Sequence, residues 1–196
     1  MIPRNVQITL ILLLCAIFGS GIYILRLDRR TQDNLRRASD RRPIAPQVAG
    51  DSVPIKLTIA YDDDGVFRSR DASVVLPADP SARAREVLDT LIEQYVEKPS
   101  PHPLAEGSAV NNVFLVRGKL AVVDLNQALA DGHRSGIMVE DFTVISLIDT
   151  LSANFPELEQ VKILIDGKER ETLAGHADLK SIYSTSAVHR IVGQLE

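Results

Sequence analysis

The chain has 196 residues, of which 45% are hydrophobic, 24% charged and 5% aromatic, and its formal net charge is −4. This length fits one domain of ordinary size with appendages, and the composition excludes wholesale disorder. A single cysteine excludes an intramolecular disulfide framework and a CxxC metal or redox pair. Residues 1–52 hold eight Arg and four Asp, so the rest carries 14 basic and 22 acidic side chains. An acidic domain without basic runs lacks the clustered cations that phosphates require, so we expect no nucleic-acid partner.

Residues 1–25 predict an N-terminal transmembrane anchor. The stretch from Val6 to Leu25 is 20 residues long without a charged side chain. As a helix it would rise about 30 Å, the thickness of the hydrocarbon core of a bilayer. We therefore expect membrane lipid to be a partner. The side chains expected to contact lipid are Val6, Ile8, Leu10, Ile11, Leu12, Leu13, Leu14, Ile17, Phe18, Ile22, Tyr23, Ile24 and Leu25.

Two alternatives to a retained anchor stay open. A cleaved signal peptide would use the small residues Gly19-Ser20-Gly21, although the apolar run continues beyond them. A lipoprotein would carry its lipid on Cys15, although Leu14 stands where a small residue is expected. With a retained anchor, Cys15 is a small apolar side chain in lipid.

Residues 26–52 predict an Arg-rich linker, because Arg and Asp dominate it and large apolar side chains are few. Its Arg side chains either contact anionic lipid headgroups or line a solvated spacer. Only Arg4 precedes the span, whereas seven Arg follow it. Taken alone, this asymmetry favours a cytoplasmic location for the C-terminal side.

The elements of the first half of the domain begin with a hairpin. Alternating Ile55, Leu57 and Ile59 predict a strand over residues 53–61, followed by a turn at 62–65 and a second strand over 66–76. Asp79-Pro80 predicts the N-cap and first residue of a helix that ends at Lys98-Pro99. Residues 99–112 predict a loop. The apolar stripe of the helix consists of Val87, Leu88, Leu91, Ile92, Tyr95 and Val96.

The second half has a similar order of elements, without a convincing internal sequence repeat. Residues 113–125 predict a hairpin that turns near Arg117-Gly118-Lys119, and residues 126–138 predict a loop. Asp141 predicts the N-cap of a second long helix, and residues 161–166 predict a fifth strand. Residues 184–196 predict a C-terminal tail with a short helix. The expected apolar face of the second helix holds Ile145, Ile148, Leu151, Ser152 and Phe155.

This order of elements predicts an α+β fold. It corresponds to a two-layer sandwich, in which a sheet of about five mostly antiparallel strands carries two helices on one face.

The order and several local signatures resemble the GerMN domain family, named for the spore germination protein GerM. The likeness is carried by Val122–Leu125, Leu147–Leu151 with Asn154–Pro156, Val161–Gly167 and Glu171–His176. The resemblance covers residues 53–183 and implies a non-catalytic module, often membrane-anchored outside the cytoplasm. It implies an envelope protein or a cell-wall component as the partner. A germination role does not follow from the resemblance.

Side chains with the chemistry for catalysis or metal binding are scattered in the sequence. The histidines, His102, His133, His176 and His189, have no metal-ligand spacing, and we expect a surface or structural role for each. Three of them, His102, His133 and His189, are expected to be solvated. The run Asp62-Asp63-Asp64 lacks EF-hand spacing and predicts a solvated turn. Ser135 stands one place too late for a G-x-S-x-G elbow. Asp124 and Asp149 are considered as paired carboxylates, but the pattern favours Asp124 at the end of a strand and Asp149 on the flank of a helix.

From these observations we assign no catalytic, cofactor-binding or metal-binding residue and expect no cofactor. The sequence favours a membrane-anchored binding or scaffolding protein outside the cytoplasm. One alternative is an envelope hydrolase with its site in loops 99–112 and 126–138. A His and a carboxylate in hydrogen-bond reach in a polar cleft there would favour it. The other alternative is a tethered scaffold that faces the cytoplasm.

Overall fold

Six strands and four helices follow one another along residues 52–196, the part of the chain that the computed structural model describes. The predicted span, with all its lipid-contacting residues, and residues 26–51 of the predicted linker lie outside the described residues. Among residues 52–196, no helix is both long and apolar enough to cross a bilayer. The strands are β1 (Val53–Tyr61), β2 (Val66–Val74), β3 (Val110–Val116), β4 (Leu120–Leu125), β5 (Gln160–Ile165) and β6 (Tyr183–Ser184). The helices are α1 (Pro80–Val96), α2 (Gln127–Asp131), α3 (Ile137–Asn154) and α4 (Thr185–Val192).

The first hairpin forms as predicted. β1 and β2 pair antiparallel over all nine residues, from Val53 opposite Val74 to Tyr61 opposite Val66. Gly65 has a φ of 67° and donates its N–H to the Tyr61 carbonyl at 2.9 Å, which closes the turn. The predicted cap of α1 is also confirmed, because the Asp79 carboxylate accepts a hydrogen bond from the Ala82 N–H at 2.8 Å.

The α+β class is confirmed, but the prediction of one five-stranded, mostly antiparallel sheet is wrong. β1 and β2 form a sheet of their own, and the second sheet has the order β3-β4-β5-β6. β4 and β5 run parallel, joined by a crossover through α2 and α3, while the two outer pairs are antiparallel. The second hairpin turns as predicted, with positive φ at Arg117 and Gly118.

Helix side chains keep the two sheets apart by occupying the free edge of β1. The Asn154 side chain accepts from the Lys56 N–H at 3.0 Å and donates to the Lys56 carbonyl at 2.7 Å. The Thr150 hydroxyl accepts from the Thr58 N–H at 2.9 Å, and the Tyr95 hydroxyl accepts from the Ala60 N–H at 2.9 Å. These backbone groups need partners when buried, and α1 and α3 supply them in place of a neighbouring strand.

Helix α3 is the central element of the core. It begins at Ile137, so the prediction of Asp141 as its N-cap is wrong, and Gly136 occupies that position without a side-chain cap. Ile148 and Leu151 are buried as expected, but the buried set extends around the helix because β1 and α4 also pack against it. The buried polar side chains of this helix are Glu140, Thr143, Ser146, Asp149 and Thr150.

The loop predicted over residues 126–138 contains the short helix α2. Its N-cap is Asn126, whose side chain accepts from the Leu129 N–H at 3.0 Å. The C-terminal helix α4 is present as predicted, and its Val188 and Val192 are buried in the core.

Candidate functional site

Loops 99–112 and 126–138 meet on one residue of α3. The Nε2 atom of His102, from the first loop, lies 2.6 Å from the Thr143 hydroxyl, and Nε2 of His133, from the second, lies 2.7 Å from the same oxygen. Nδ1 of His102 lies 2.5 Å from the Asp62 carboxylate, and the second oxygen of that carboxylate accepts from the Arg134 guanidinium. We call this set, Asp62, His102, Thr143, His133 and Arg134, the two-histidine network.

The network is inside the protein. His102 and Thr143 are each 1% exposed, and the Asp62 side chain is 10% exposed. The prediction of a solvated His102 is therefore wrong. The prediction of a solvated turn holds for Asp63 and Asp64, which are exposed, but not for Asp62. His133 is half-buried, and His189 has an exposed side chain as predicted.

Hydrogen-bond accounting assigns the protons of the two-histidine network. Burial raises the pKa of Asp62, but hydrogen bonds and positive charge from His102 and Arg134 outweigh burial and lower this pKa below its ordinary value. Burial lowers the pKa of His133, so its ring is neutral at pH 7 and donates Nδ1–H to the Arg134 carbonyl, at 2.7 Å.

Because Nε2 of His133 then carries no proton, it accepts the one proton of the Thr143 hydroxyl at 2.7 Å, and the Val139 carbonyl, 3.2 Å from the same oxygen, does not receive it. The Thr143 oxygen must in turn accept from Nε2–H of His102. His102 thus lies between the Asp62 carboxylate, at Nδ1, and the Thr143 hydroxyl, at Nε2.

A second buried carboxylate ties the segment after β5 to the start of α3. Glu140 is 0% exposed, and its Oε2 accepts from the N–H groups of Ala174, His176 and Ala177 at 2.9–3.0 Å. Oε1 accepts from the Gly136 N–H at 3.1 Å and from Nδ1 of His176 at 2.9 Å. Burial raises the Glu140 pKa, but these hydrogen bonds, with the His176 side chain first, lower it to about 2.

Asp124 and Asp149 bind separate partners instead of each other. Asp124 accepts from the Gly167 N–H at 2.6 Å, which fixes the turn after β5. Asp149 accepts from the Thr58 hydroxyl at 2.6 Å and lies 2.9 Å from Nδ1 of His189 on α4. The hypothesis of a carboxylate pair is therefore wrong.

Three His–carboxylate pairs thus exist among residues 52–196, as a hydrolase would require, but none has the full geometry of a nucleophile site. Among the described residues, the only hydroxyl placed on the ring nitrogen opposite the carboxylate is that of Thr143, which is buried with His102. Ser135 approaches Nδ1 of His176 at 3.4 Å, and this is the nitrogen that already contacts Glu140. Within the described part, no group of three or more His, Cys, Asp or Glu could hold a metal ion.

Sequence reasoning missed Glu140, Thr143 and Arg134. The side-chain contacts of the two-histidine network join residues 10 to 72 positions apart, and no local pattern links them. The available signal was the acidic pair Glu140-Asp141 near the expected start of α3. The sequence analysis assigned the N-cap to Asp141 and did not predict a role for Glu140.

Large apolar side chains are exposed at several places on the surface of residues 52–196, among them β3 and the start of α3. Phe114, 51% exposed, and Val116 lie on the same face of β3. Ile137, 69% exposed, and Met138 begin α3. Exposed apolar groups of this size on a water-facing surface are typical of contact sites.

The described domain is an α+β module in which the His–carboxylate pairs form contacts within the protein. Apolar side chains such as Phe114 and Ile137 are exposed on its surface. Residues 57–171 match the Germane family model, described as sporulation and spore germination. This match spans more than half of the chain, so the protein belongs to this family, which confirms the GerMN resemblance. No curated protein matches the sequence.

A solved structure of tandem GerMN domains shares the fold. The tandem GerMN domains of the sporulation protein GerM from Bacillus subtilis are 20% identical with a TM-score of 0.53, over 69% of this chain and 47% of that chain. This chain therefore spans about half of the tandem. The first GerMN domain of the same protein is 19% identical with a TM-score of 0.47, over 66% and 94%. A candidate lipoprotein from Clostridium perfringens is 16% identical with a TM-score of 0.48, over 71% and 94%.

Proposed function

We propose that this protein is a single-pass membrane protein that displays a non-catalytic GerMN-type domain outside the cytoplasm, where it binds a protein partner of the cell envelope. The observation that carries this proposal is the burial of Thr143 and His102. Within residues 52–196, the one hydroxyl positioned for activation by a His–carboxylate pair is out of reach of a substrate, so the pair acts as a structural support.

A binding role is supported by the groups that the domain leaves exposed. Phe114 and Val116 on β3 and Ile137 and Met138 on α3 keep large apolar side chains in water. Burying such groups against a partner is favourable by roughly 25 cal/mol per Å² of apolar surface. The membrane anchor rests on the uncharged run Val6–Leu25.

Topology is tested by a reporter enzyme that is active only outside the cytoplasm, fused after Glu196. We expect activity from this fusion and none from the same reporter fused after Arg4. Activity only from a cytoplasmic reporter after Glu196 would support instead a cytoplasmic-facing scaffold, which the seven Arg after the span favour.

Partner binding is tested by a photo-crosslinking amino acid placed at exposed positions of the full chain in its native membranes. We expect a discrete adduct with one protein from Phe114, Ile137 or the exposed strand β2, and none from exposed Glu106 in loop 99–112. Absence of adducts from every exposed position would contradict a binding role. Hydrolysis of an envelope component that Thr143→Val abolishes without unfolding would contradict the non-catalytic assignment.

A further inference from the structure

Strand β2 has a free backbone edge. The Phe67 N–H points away from β1 and donates to the Leu195 carbonyl at 3.0 Å, so the alternate residues Ser69, Asp71 and Ser73 present their backbone groups in the same direction. Within residues 52–196, none of these three N–H groups has a hydrogen-bond partner, and their side chains are exposed. β2 is nine residues long without proline, so several adjacent positions can accept a further strand.

We propose that the edge of β2 from Ser69 to Ser73 binds an extended acidic segment of the partner protein, which adds to the hairpin as a third strand. This inference rests on the proposed function and names the recognition mode of the partner. Main-chain hydrogen bonds to Ser69, Asp71 and Ser73 supply affinity, and the side chains beside the edge supply specificity.

Arg70 determines the charge of the segment. Arg68, two residues earlier on the same face, already pairs with Asp64 at 2.7 Å. The Arg70 guanidinium contacts only the uncharged amide of Gln94, at 3.0 Å, and no carboxylate among the described residues. Side chains directly opposite on neighbouring strands lie about 5 Å apart, so a Glu of the added strand beside Arg70 forms an ion pair there.

A cavity of about 250 Å³ lies beside Arg70 and extends this recognition surface. Its floor is apolar, with Ile59 and Tyr61 from β1 and two prolines of loop 99–112. Its rim carries the cations Arg70 and Lys98 and the carboxylate Glu97, so an acidic side chain that reaches the rim meets net positive charge.

A second copy of this chain is a poor occupant of the same edge. In the antiparallel register with full overlap, Arg70 lies opposite Arg70 of the copy. In the registers shifted by two residues either way, Arg68 opposes Arg70, or Asp71 opposes itself. Like charges directly opposite destabilise a strand pair, and charged edges of this kind protect against self-association.

The test uses the full chain in nanodiscs and a fluorescent peptide, Thr-Glu-Val-Glu-Val-Glu-Thr, with fluorescence anisotropy as the readout. We expect saturable binding, at least tenfold weaker binding of the peptide with Lys in place of Glu, and loss of binding when alternate peptide amides are N-methylated. Arg70→Glu should reverse the preference between the two peptides. Arg190→Glu, at an exposed position of α4, should leave it unchanged, and circular dichroism verifies that both variants fold.

Hydrogen exchange of residues 66–74 completes the test. We expect fast exchange at Ser69, Asp71 and Ser73 in the free chain and slow exchange with the Glu peptide bound. Protection already present in the free chain would overturn the proposal in favour of residues 1–51 as the occupant. Protection that rises with protein concentration alone would overturn it in favour of a second copy. If neither peptide binds while crosslinks form at Phe114 or Ile137, the edge proposal is wrong and the proposed function stands.

Discussion

At the scale of single residues, buried charges hold two loops in place. Glu140 is fully buried and its folded-state pKa of about 2 lies below its ordinary value of 4.5. A lowered carboxyl pKa stabilises the fold fully above the unfolded value, and this stabilisation disappears as the pH falls from about 4.5 toward 2. The difference corresponds to about 3 kcal/mol at pH 7.

Glu140→Gln should therefore lower the free energy of unfolding by about 3 kcal/mol at pH 7. The neutral Gln amide has one accepting oxygen, and its NH₂ group cannot accept the hydrogen bonds that the second Glu140 oxygen receives. Urea denaturation followed by circular dichroism at pH 7, 4 and 3 measures this difference, which should shrink on acidification. Glu106→Gln is the matched control, since Glu106 is exposed. An equal loss for Glu140→Gln at all three pH values would show that the charge is not responsible.

Thr143 tests the proton assignment of the two-histidine network. Thr143→Val keeps the shape of the side chain but leaves Nε2 of His102 and of His133 without a partner, which should cost about 2–4 kcal/mol. Thr90→Val is the control, because Thr90 is a helical threonine whose hydroxyl donates within its own helix, to the Glu86 carbonyl. We expect the control to change stability by less than about 0.5 kcal/mol.

The proton assignment also has a spectroscopic signature in the unsubstituted protein. In ¹⁵N NMR at pH 7, we expect the His133 ring to carry one proton, on Nδ1. A His133 ring with its proton on Nε2 would contradict the assignment, whatever the stability of Thr143→Val.

At the scale of elements, α1 and α3 act as substitutes for a strand beside β1. Tyr95→Phe should cost about 1–3 kcal/mol, because the Ala60 N–H stays buried without a partner. Tyr61→Phe, at a partly exposed ring, should be nearly neutral. Hydrogen exchange should accelerate at Ala60 in the first variant only, and unchanged protection there would show that another group satisfies this amide.

At the scale of the whole molecule, the described domain carries no helix that could span a bilayer, and the predicted anchor is confined to residues 1–25. We expect the full chain to remain in membranes after alkaline carbonate washing and to be released by detergent. Removal of residues 1–25 should transfer it to the soluble fraction. Cys15→Ser should stay membrane-bound, because the proposed anchor is the apolar span and not a lipid on Cys15. Release of Cys15→Ser would indicate a lipoprotein.

Contacts between distant parts of the chain limit how much of this structure could be predicted from the sequence. The hairpins, the Asp79 cap, the stripe of α1 and β5 follow from local periodicity, because each depends on residues within one or two turns or strands. The start of α3 does not, since Gly136 takes the cap position and Glu140 contacts residues 34 to 37 positions away. The division into two sheets depends on Tyr95, Thr150 and Asn154 reaching the β1 backbone, and side chains of this kind carry no pairing signal in the sequence.

The sequence by itself determined the α+β class, the family, the order of most elements and the expectation of an N-terminal anchor, because composition, hydrophobic period and family signatures are local properties. Only the tertiary structure decided that His102 is buried, that Asp124 and Asp149 are separate, and that no strand of residues 52–196 pairs with the edge of β2 beside Arg70. Burial and pairing depend on which distant segments pack together, and long-range packing sets the environment and charge of each side chain.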